Sequence, residues 1–323
     1  MKVLVTGASG FIGYHLVRKL IDSNIEVIGI DNERSSYGGN LAAIRSANLF
    51  KEFGFKSNKL DLADCDISEI LKLSESVDSI VHLAAWPGVR QSRLNPEAYS
   101  RNNIQAFNRI IEIPRILKTT KFIYASSSSV YGNQGLNGPV QESMATIENP
   151  LSYYALTKLQ NEITADFYEQ NFSVNTIGLR LFTVYGPMGR PDMAYWSFSE
   201  KILDGKNIEL YGHNGGERCF TYIDDVINSI FNLLSIDEKF SSKIVNISSG
   251  NPRETKELVD LLCANLGNKK VEILEISRPP EDAEKTWADI SLLNSMIGFQ
   301  NFTSLETGLE KFADWFLQFR NSK

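Results

Sequence analysis

Residues 122–132 read FIYASSSSVYG: an apolar run, four consecutive serines (Ser126 to Ser129), then a Tyr-Gly turn. One or two hydroxyls at such a junction satisfy the local backbone; four are an excess that chemistry could use. Further along, Tyr154 and Lys158 stand four residues apart in a helical stretch, which sets both on one face. An ammonium beside a phenol favours the phenolate and makes a base usable near neutral pH. Taken alone, that spacing is common by chance, and an exposed amphipathic helix accounts for it equally well. Near the start lies Gly7-Ala-Ser-Gly10-Phe11-Ile12-Gly13. Gly7 permits a tight turn, and Gly10 lets a pyrophosphate approach the backbone where free amides open a helix. Gly13 allows close packing of that helix on its strand. The strand-turn-helix setting separates this run from an unliganded glycine turn. Asp31 ends the run VIGID, eighteen residues after Gly13. That is near the ~20-residue offset of an acid that hydrogen-bonds an adenine ribose. A carboxylate there repels a 2′-phosphate and favours NAD; Arg34 nearby is the feature that favours NADP. An Asx turn through Asp31 and Asn32 is compatible with the same site.

The elements that must position these residues follow from hydrophobic patterning. Strands are expected at Lys2–Thr6, Glu26–Ile30, Phe55–Leu60, Ser79–Leu83, Lys121–Ala125 and Val174–Leu181. Helices are expected at Phe11–Ser23 and over 40–49, 66–74, 96–118 and 152–170. This alternation predicts a parallel sheet with helices on both faces, binding its ligand at the carboxyl ends of the strands. Beyond Arg180 the rhythm loosens. LRLFTVYGPMGRPDM (179–193), rich in Gly and Pro, reads as a loop. A helix over 195–204, strands over 207–211 and 218–222, and a helix from Asp225 capped by Asp224 come next. Asn246–Gly250, a helix over 255–266, the tripeptide WAD at 287–289 and an amphipathic helix over 304–320 complete the chain.

Composition bounds the function classes. The chain has 323 residues and a net charge of −6, with an isoelectric point near 5.3. That balance argues against nucleic acid or a membrane surface as partner, since both need a basic face. Cys65, Cys219 and Cys263 are scattered and form no metal-binding spacing, so free thiols, a reducing compartment and no metal are expected. No apolar run approaches the ~18 residues of a membrane-spanning helix, and the glycine-broken start does not read as a signal peptide. A cytoplasmic protein is the expectation.

With these motifs together, the chain resembles an extended short-chain dehydrogenase/reductase, from Met1 to about Asp289. The motifs are Gly7/Gly10/Gly13, Asp61-Leu62 after the third strand, HLAA at 82–85, Asn103 in the following helix, the serine cluster, and Tyr154 with Lys158. The resemblance implies an α/β fold: a Rossmann-type doubly wound parallel sheet over 1–180, with a smaller C-terminal α/β substrate-binding lobe over 181–323. It implies cofactor contacts from Gly7, Gly10, Phe11, Ile12, Gly13, Asp31, Asn32, Asp61, Leu62, Leu83, Ala84, Ala85, Asn103, Tyr154 and Lys158. It implies that Ser127 hydrogen-bonds the reacting hydroxyl, that Tyr154 is general base and acid, and that Lys158 also holds the nicotinamide ribose. Arg218, in GGERCFTYIDD, matches an arginine that contacts a substrate diphosphate, and Arg278 is expected to do likewise, because the guanidinium fork pairs with phosphate oxygens. A surface ion pair is the competing reading for both. Cys219 stands where an Asp is usual, which bears on how Arg218 is oriented.

FTVYGPMGRPDM together with AWPGVRQS (85–92, including Arg90) is most similar to UDP-glucuronate 4-epimerases. The resemblance then implies bound NAD and a UDP-sugar substrate. Related dehydratases carry Asp-Glu, and decarboxylases Glu, where this chain has Ser128 and Ser129. Oxidising C4 of a hexuronate gives a β-keto acid that loses CO₂ easily, so the enzyme must restrain the carboxylate; hydroxyl donors do so without adding charge. Ser127 is therefore expected on the C4 hydroxyl and Ser128 with Thr183 on the carboxylate. Ser126 and Ser129 are expected as turn and cofactor-side residues. The competing view of Ser128 and Ser129 is that they merely end the strand. Trp86 and Pro87 depart from the usual loop and leave the sugar open. The alternatives are a 4-epimerase of UDP-glucose or a UDP-N-acetylhexosamine, an NADPH-consuming 4-ketosugar reductase, or a non-catalytic dinucleotide sensor or scaffold. The helices over 96–118 and 152–170 carry apolar residues (Ile104, Phe107, Ile111; Leu159, Ile163, Phe167) that in related proteins pair across a two-fold axis, so a homodimer is expected.

Overall fold

The computed structural model describes residues 1–119, 121–145, 150–236, 239–267 and 269–322. In chain order the elements run β1 (Lys2–Thr6), α1 (Phe11–Asp22), β2 (Glu26–Ile30), α2 (Leu41–Phe53), α3 (Ile67–Leu73), β3 (Ser79–His82), α4 (Val89–Leu94) and α5 (Pro96–Tyr99). A π-helical turn, Ser100–Gln105, leads into α6 (Ala106–Ile110), α7 (Glu112–Leu117), β4 (Lys121–Ser127), α8 (Tyr153–Phe172) and β5 (Thr176–Leu181). The rest is β6 (Thr183–Tyr185), α9 (Ala194–Leu203), β7 (Ile208–Tyr211), β8 (Glu217–Tyr222), α10 (Ile223–Leu234), β9 (Ile244–Ile247), β10 (Pro252–Glu254), α11 (Thr255–Asn265), β11 (Ile273–Ile276), β12 (Lys285–Thr286), α12 (Ser291–Ile297) and α13 (Leu305–Asn321).

Two compact units emerge. The first holds Met1–Val130, Ala145–Leu181 and Ile227–Val245; the second holds Tyr131–Met144, Phe182–Val226 and Asn246–Lys323. The expected division was contiguous, at 180/181. The units instead exchange two segments, 131–144 and 227–245.

The first unit is built on a six-stranded sheet of order β2-β1-β3-β4-β5-β9, with parallel pairing at β1–β2, β1–β3, β3–β4 and β4–β5. Strands covered on both faces read as unbroken apolar runs, and Val3, Leu4 and Val5 are indeed fully buried. The chain order reverses between β1 and β3, and such a switch point opens a crevice for ligands at the strand ends. Phe107, Phe122 and Tyr124 pack the core beside it.

The second unit joins β10, β8 and β12, with β6 also paired to β8. A separate parallel pair is made by β7 and β11. Tyr195 and Trp196 of α9 pack on Phe312 and Phe316 of α13.

Four expectations need correction. No strand forms over Phe55–Leu60: only Asn58 bridges Ile30, because the backbone turns there and both Asp31 and Leu60 donate to the Asn58 carbonyl. The helix over 96–118 is interrupted by the π turn and again at Ile111, ahead of Pro114, which has no N–H to donate. The loop over 179–193 begins only at Gly186 (φ +145°), since Thr183–Tyr185 forms β6 in register with Phe220–Tyr222. Asp224 does not cap α10, which starts at Ile223. Asp225, inside its first turn, accepts from the Thr303 amide and hydroxyl instead.

Candidate active site

The turn after β1 is set by contacts that leave no room for a β-carbon. One added at Gly7 (φ +73°) would sit 2.7 Å from the Ala84 nitrogen, and one at Gly13 would sit 1.9 Å from the Gly7 oxygen. The HLAA segment after β3 thus lies directly on Gly7. Leu83 donates to the Thr6 carbonyl (3.0 Å), and Ala84 donates to the Thr6 hydroxyl, which also bonds the His82 Nδ1 (2.7 Å). Helix α1 follows Gly10 with no side-chain cap, so its first amides are open to an anion. The Ser9 hydroxyl is buried and has no partner.

The acids near this turn are already engaged. Asp31 accepts from the Ser9 amide (2.9 Å) and the Glu33 amide (2.6 Å), the expected Asx geometry. Burial pushes its carboxyl up against the pull of those amides. Asn32 caps the Arg34 amide. Asp61 accepts from Ala63 and from Arg101 (2.9 Å); burial alone would raise its carboxyl, but these bonds hold it below its ordinary value. The Arg34 guanidinium lies 3.6 Å from Asp61. Asn103, fully buried in the π turn, uses its amide on the Trp86 main chain (2.7 and 3.0 Å) and on Thr157 (3.1 Å). Thr157 in turn donates to the Tyr154 carbonyl. Asn103 therefore ties the loop after β3 to the first turn of α8.

Ser127 ends β4, and Tyr154 and Lys158 stand in the first two turns of α8, which Lys158 ties to that strand. Ser152 caps α8 by accepting from Ala155, and the Tyr154 amide, which no helical carbonyl can reach, donates to the Ser92 hydroxyl of α4 (3.0 Å). One turn on, the buried Lys158 ammonium donates to the Ala125 carbonyl (2.8 Å) and lies 5.8 Å from the Tyr154 ring centre. Burial pulls that ammonium down to about 8, with Glu162 opposing. Ser127 accepts from both the amide and the hydroxyl of Ser129 (3.2 and 3.0 Å), which leaves its own proton to donate elsewhere. Ser129 is thus the orienter of Ser127. Ser126 lies within β4 and not in a turn, points to the other face of the strand and donates to Glu162 of α8. Strand alternation separates the two hydroxyls. Ser128 opens a short 3₁₀ turn, and Arg90 is exposed on α4.

In the second unit Arg218 and Arg278 converge. Arg218 donates to the carbonyls of Glu217 and Glu284 and to one oxygen of Asp282 (3.3 Å); Arg278 donates to the Tyr211 carbonyl and to the other oxygen of Asp282 (3.2 Å). Asp282 was missed from sequence, although an acid four residues after Arg278 was a signal. Cys219 faces away from Arg218 into the core and is buried, so its departure from the usual Asp does not place a thiol beside that guanidinium. Thr183 is half-buried on β6. Among the described residues no cluster of His, Cys, Asp and Glu could hold a metal ion, and no helix is long and apolar enough to cross a membrane.

Residues 3–248 match the model of the NAD dependent epimerase/dehydratase family. The chain belongs to that family. Protein CapI of Staphylococcus aureus is 37% identical, over 99% of this chain and 99% of its own length. UDP-glucuronate 4-epimerase 4 of Arabidopsis thaliana is 36% identical, over 98% of this chain and 75% of that one. The crystal structure of UDP-glucuronic acid 4-epimerase from Bacillus cereus, in complex with UDP-glucuronic acid and NAD, superposes with a TM-score of 0.91 at 34% identity, covering 99% of this chain and 100% of that one. The cofactor named by the family fits the residues present. The glycine turn leaves room for a pyrophosphate at uncapped amides, the Ser9 hydroxyl is unpartnered, and each Asp31 oxygen keeps a lone pair for a ribose hydroxyl.

Proposed function

We propose that this enzyme interconverts UDP-glucuronate and UDP-galacturonate by NAD-dependent epimerisation at C4. The observation that carries the reading is the Ser127–Tyr154–Lys158 arrangement at the end of β4, in a chain similar over its whole length to UDP-glucuronate 4-epimerases. The glycine turn, Asp31 and Lys158 hold the cofactor. NAD, when bound, accepts the C4 hydride and returns it to the opposite face of the sugar. Tyr154, as phenolate, takes the C4 hydroxyl proton and gives it back. The Lys158 ammonium stabilises that phenolate, and the free Ser127 proton hydrogen-bonds the C4 oxygen. The 4-keto sugar turns about its phosphate linkage while Arg218 and Arg278 keep the diphosphate. Ser128 and Thr183 restrain the hexuronate carboxylate; no acid follows Ser127, which supports chemistry confined to C4.

The protein acts as a homodimer in this reading. Leu156, Ile163 and Phe167 form an exposed apolar stripe along α8, suited to a second copy. Phe107, Ile111 and Leu159 are buried within the first unit and do not contribute.

The test is to mix purified protein with UDP-glucuronate and no added cofactor, then identify the product. UDP-galacturonate at redox balance supports the reading; a stoichiometric need for NADPH overturns it. Replacing Ser128 by Ala together with Thr183 by Val should divert product to CO₂ and a UDP-4-ketopentose. Hexuronate alone, at reduced rate, would return those hydroxyls to a packing role.

A further inference from the structure

One turn beyond Lys158, helix α8 presents an acid to the sheet instead of an apolar side chain. Glu162 has side-chain exposure of only 10%, and the Arg180 that faces it from near the carboxyl end of β5 only 5%. The pair is bidentate: the Arg180 Nε meets Oε1 at 2.9 Å and its terminal nitrogen meets Oε2 at 2.8 Å. Ser126 donates to the same carboxylate from β4, and Ser126 and Arg180 are register partners across β4 and β5. A buried ion pair is costly to form and is weak evidence for stability, so a carboxylate at this place invites another reason.

Lys158 supplies it. Its ammonium is buried and donates to a neutral carbonyl, that of Ala125. Desolvation disfavours the charged lysine on which the phenolate depends, and Glu162 is the group whose charge opposes that loss. Among the described residues, the titratable and charged groups around this cluster include Tyr154 and Glu162 on α8 itself, His82 from β3, Tyr124 from β4 and Arg180 from β5, with Asp166 and Glu169 further along α8 acting on Tyr124. His82 is held neutral by burial, then by the Lys158 charge, with its imidazolium pulled down to about 3. Burial, then the Glu162 charge, push the Tyr124 phenol well up. Glu162 is thus the negative charge that faces Lys158.

We propose that Glu162, clamped to β4 by Ser126 and to β5 by Arg180, is a positioning residue that fixes Lys158 on the sheet and sets the pH range over which the Tyr154–Lys158 pair works. The inference rests on the proton-transfer roles assigned above to Tyr154 and Lys158. Arg180 sets how strongly the Glu162 charge is felt.

The two partners therefore act in opposite directions. Glu162→Gln keeps an acceptor for Ser126 but removes the negative charge that faces Lys158, so the pH–rate profile should move to lower pH by roughly one unit. Arg180→Met leaves the carboxylate uncompensated and should move the profile to higher pH by a similar amount. KM for UDP-glucuronate should change little in either. A second readout needs no turnover: the ultraviolet difference absorbance of tyrosinate, each variant minus the same variant carrying Tyr154→Phe, should shift the same way. A purely structural pair would lower kcat in both variants with unmoved profiles, and that result overturns the proposal. If the single variants do not fold, E162Q/R180M, which removes both charges of the pair, is measured in their place. Its profile should move to lower pH by less than a unit, and an unchanged profile overturns the proposal. Full activity of Y154F or K158M would instead refute the roles on which the inference stands, and so separates the two failures.

Discussion

In the proposed reaction the Ser127 hydroxyl, the Tyr154 phenol and the Lys158 ammonium carry the chemistry; Ser129 bonds the first and the Ala125 carbonyl the last. Tyr154→Phe removes the only proton carrier assigned to the C4 hydroxyl. It should lower kcat by roughly 10²- to 10⁴-fold while calorimetry still detects UDP-sugar binding. Ser129→Ala deletes one of two bonds to the Ser127 oxygen. A hydrogen bond is worth about 1 kcal/mol, so kcat should fall roughly five- to tenfold with KM unchanged; an unaltered kcat would leave Ser129 as a strand terminator. His82 makes a stability prediction. Its folded-state pKa, pulled down to about 3 by burial and the Lys158 charge, lies below the ordinary value of 6.5. Between those limits the unfolded chain binds the extra proton. The contribution is therefore complete above about pH 6.5 and lost as pH falls toward 3, and it amounts to roughly 5 kcal/mol over the full window. Urea unfolding between about pH 4 and 7 should show that slope in the native protein and a flatter one in His82→Asn.

At the scale of the element, the active site depends on how closely α1 and α8 approach the sheet. The α1 approach is set by glycine. A β-carbon at Gly13 would lie 1.9 Å from the Gly7 carbonyl oxygen, and backbone on both sides cannot yield cheaply. Gly13→Ala should cost at least about 3 kcal/mol and release NAD, read from the denaturation midpoint and from cofactor content after gel filtration. A variant of native stability that keeps its cofactor would show that the helix shifts freely. The α8 approach is set by polar side chains: Ser92 on the Tyr154 amide, Asn103 through Thr157, and Glu162 on Arg180 and Ser126. These pins fall in the first three turns of α8, and beyond them Ile163 and Phe167 are exposed.

At the scale of the whole molecule, the exposed stripe is where the proposed homodimer is tested. Ile163 is 51% and Phe167 54% exposed, a contiguous apolar pair one turn apart on a helix whose opposite face is in the core. Sedimentation at micromolar concentration should give a dimer for the native chain and a monomer for Ile163→Glu with Phe167→Glu. A native monomer would leave the stripe as unpartnered surface.

Periodicity and glycine spacing were enough to read the parallel sheet and the dinucleotide turn, because each is a local rule written over a few neighbouring positions; the roles expected of Ser127, Tyr154 and Lys158 came from the family resemblance. Gly7, Gly10 and Gly13 state a turn; Tyr154 and Lys158 state a helix face. Tertiary structure alone decided which serine does what: Ser126 and Ser127 are chemically identical neighbours, and only the pleat of β4 sends one to Glu162 and the other to Ser129. It alone decided that Thr183–Tyr185 is a strand, since pairing with β8 outweighs the Gly- and Pro-rich stretch that follows. It joined Arg218 and Arg278 through Asp282, sixty-four residues from Arg218 in sequence. Glu162 and Arg180 were legible in part, as an acid four residues after Lys158 and a lone cation within an apolar strand. Their pairing was not, because an ion pair across eighteen residues exists only once a helix has been laid on its sheet.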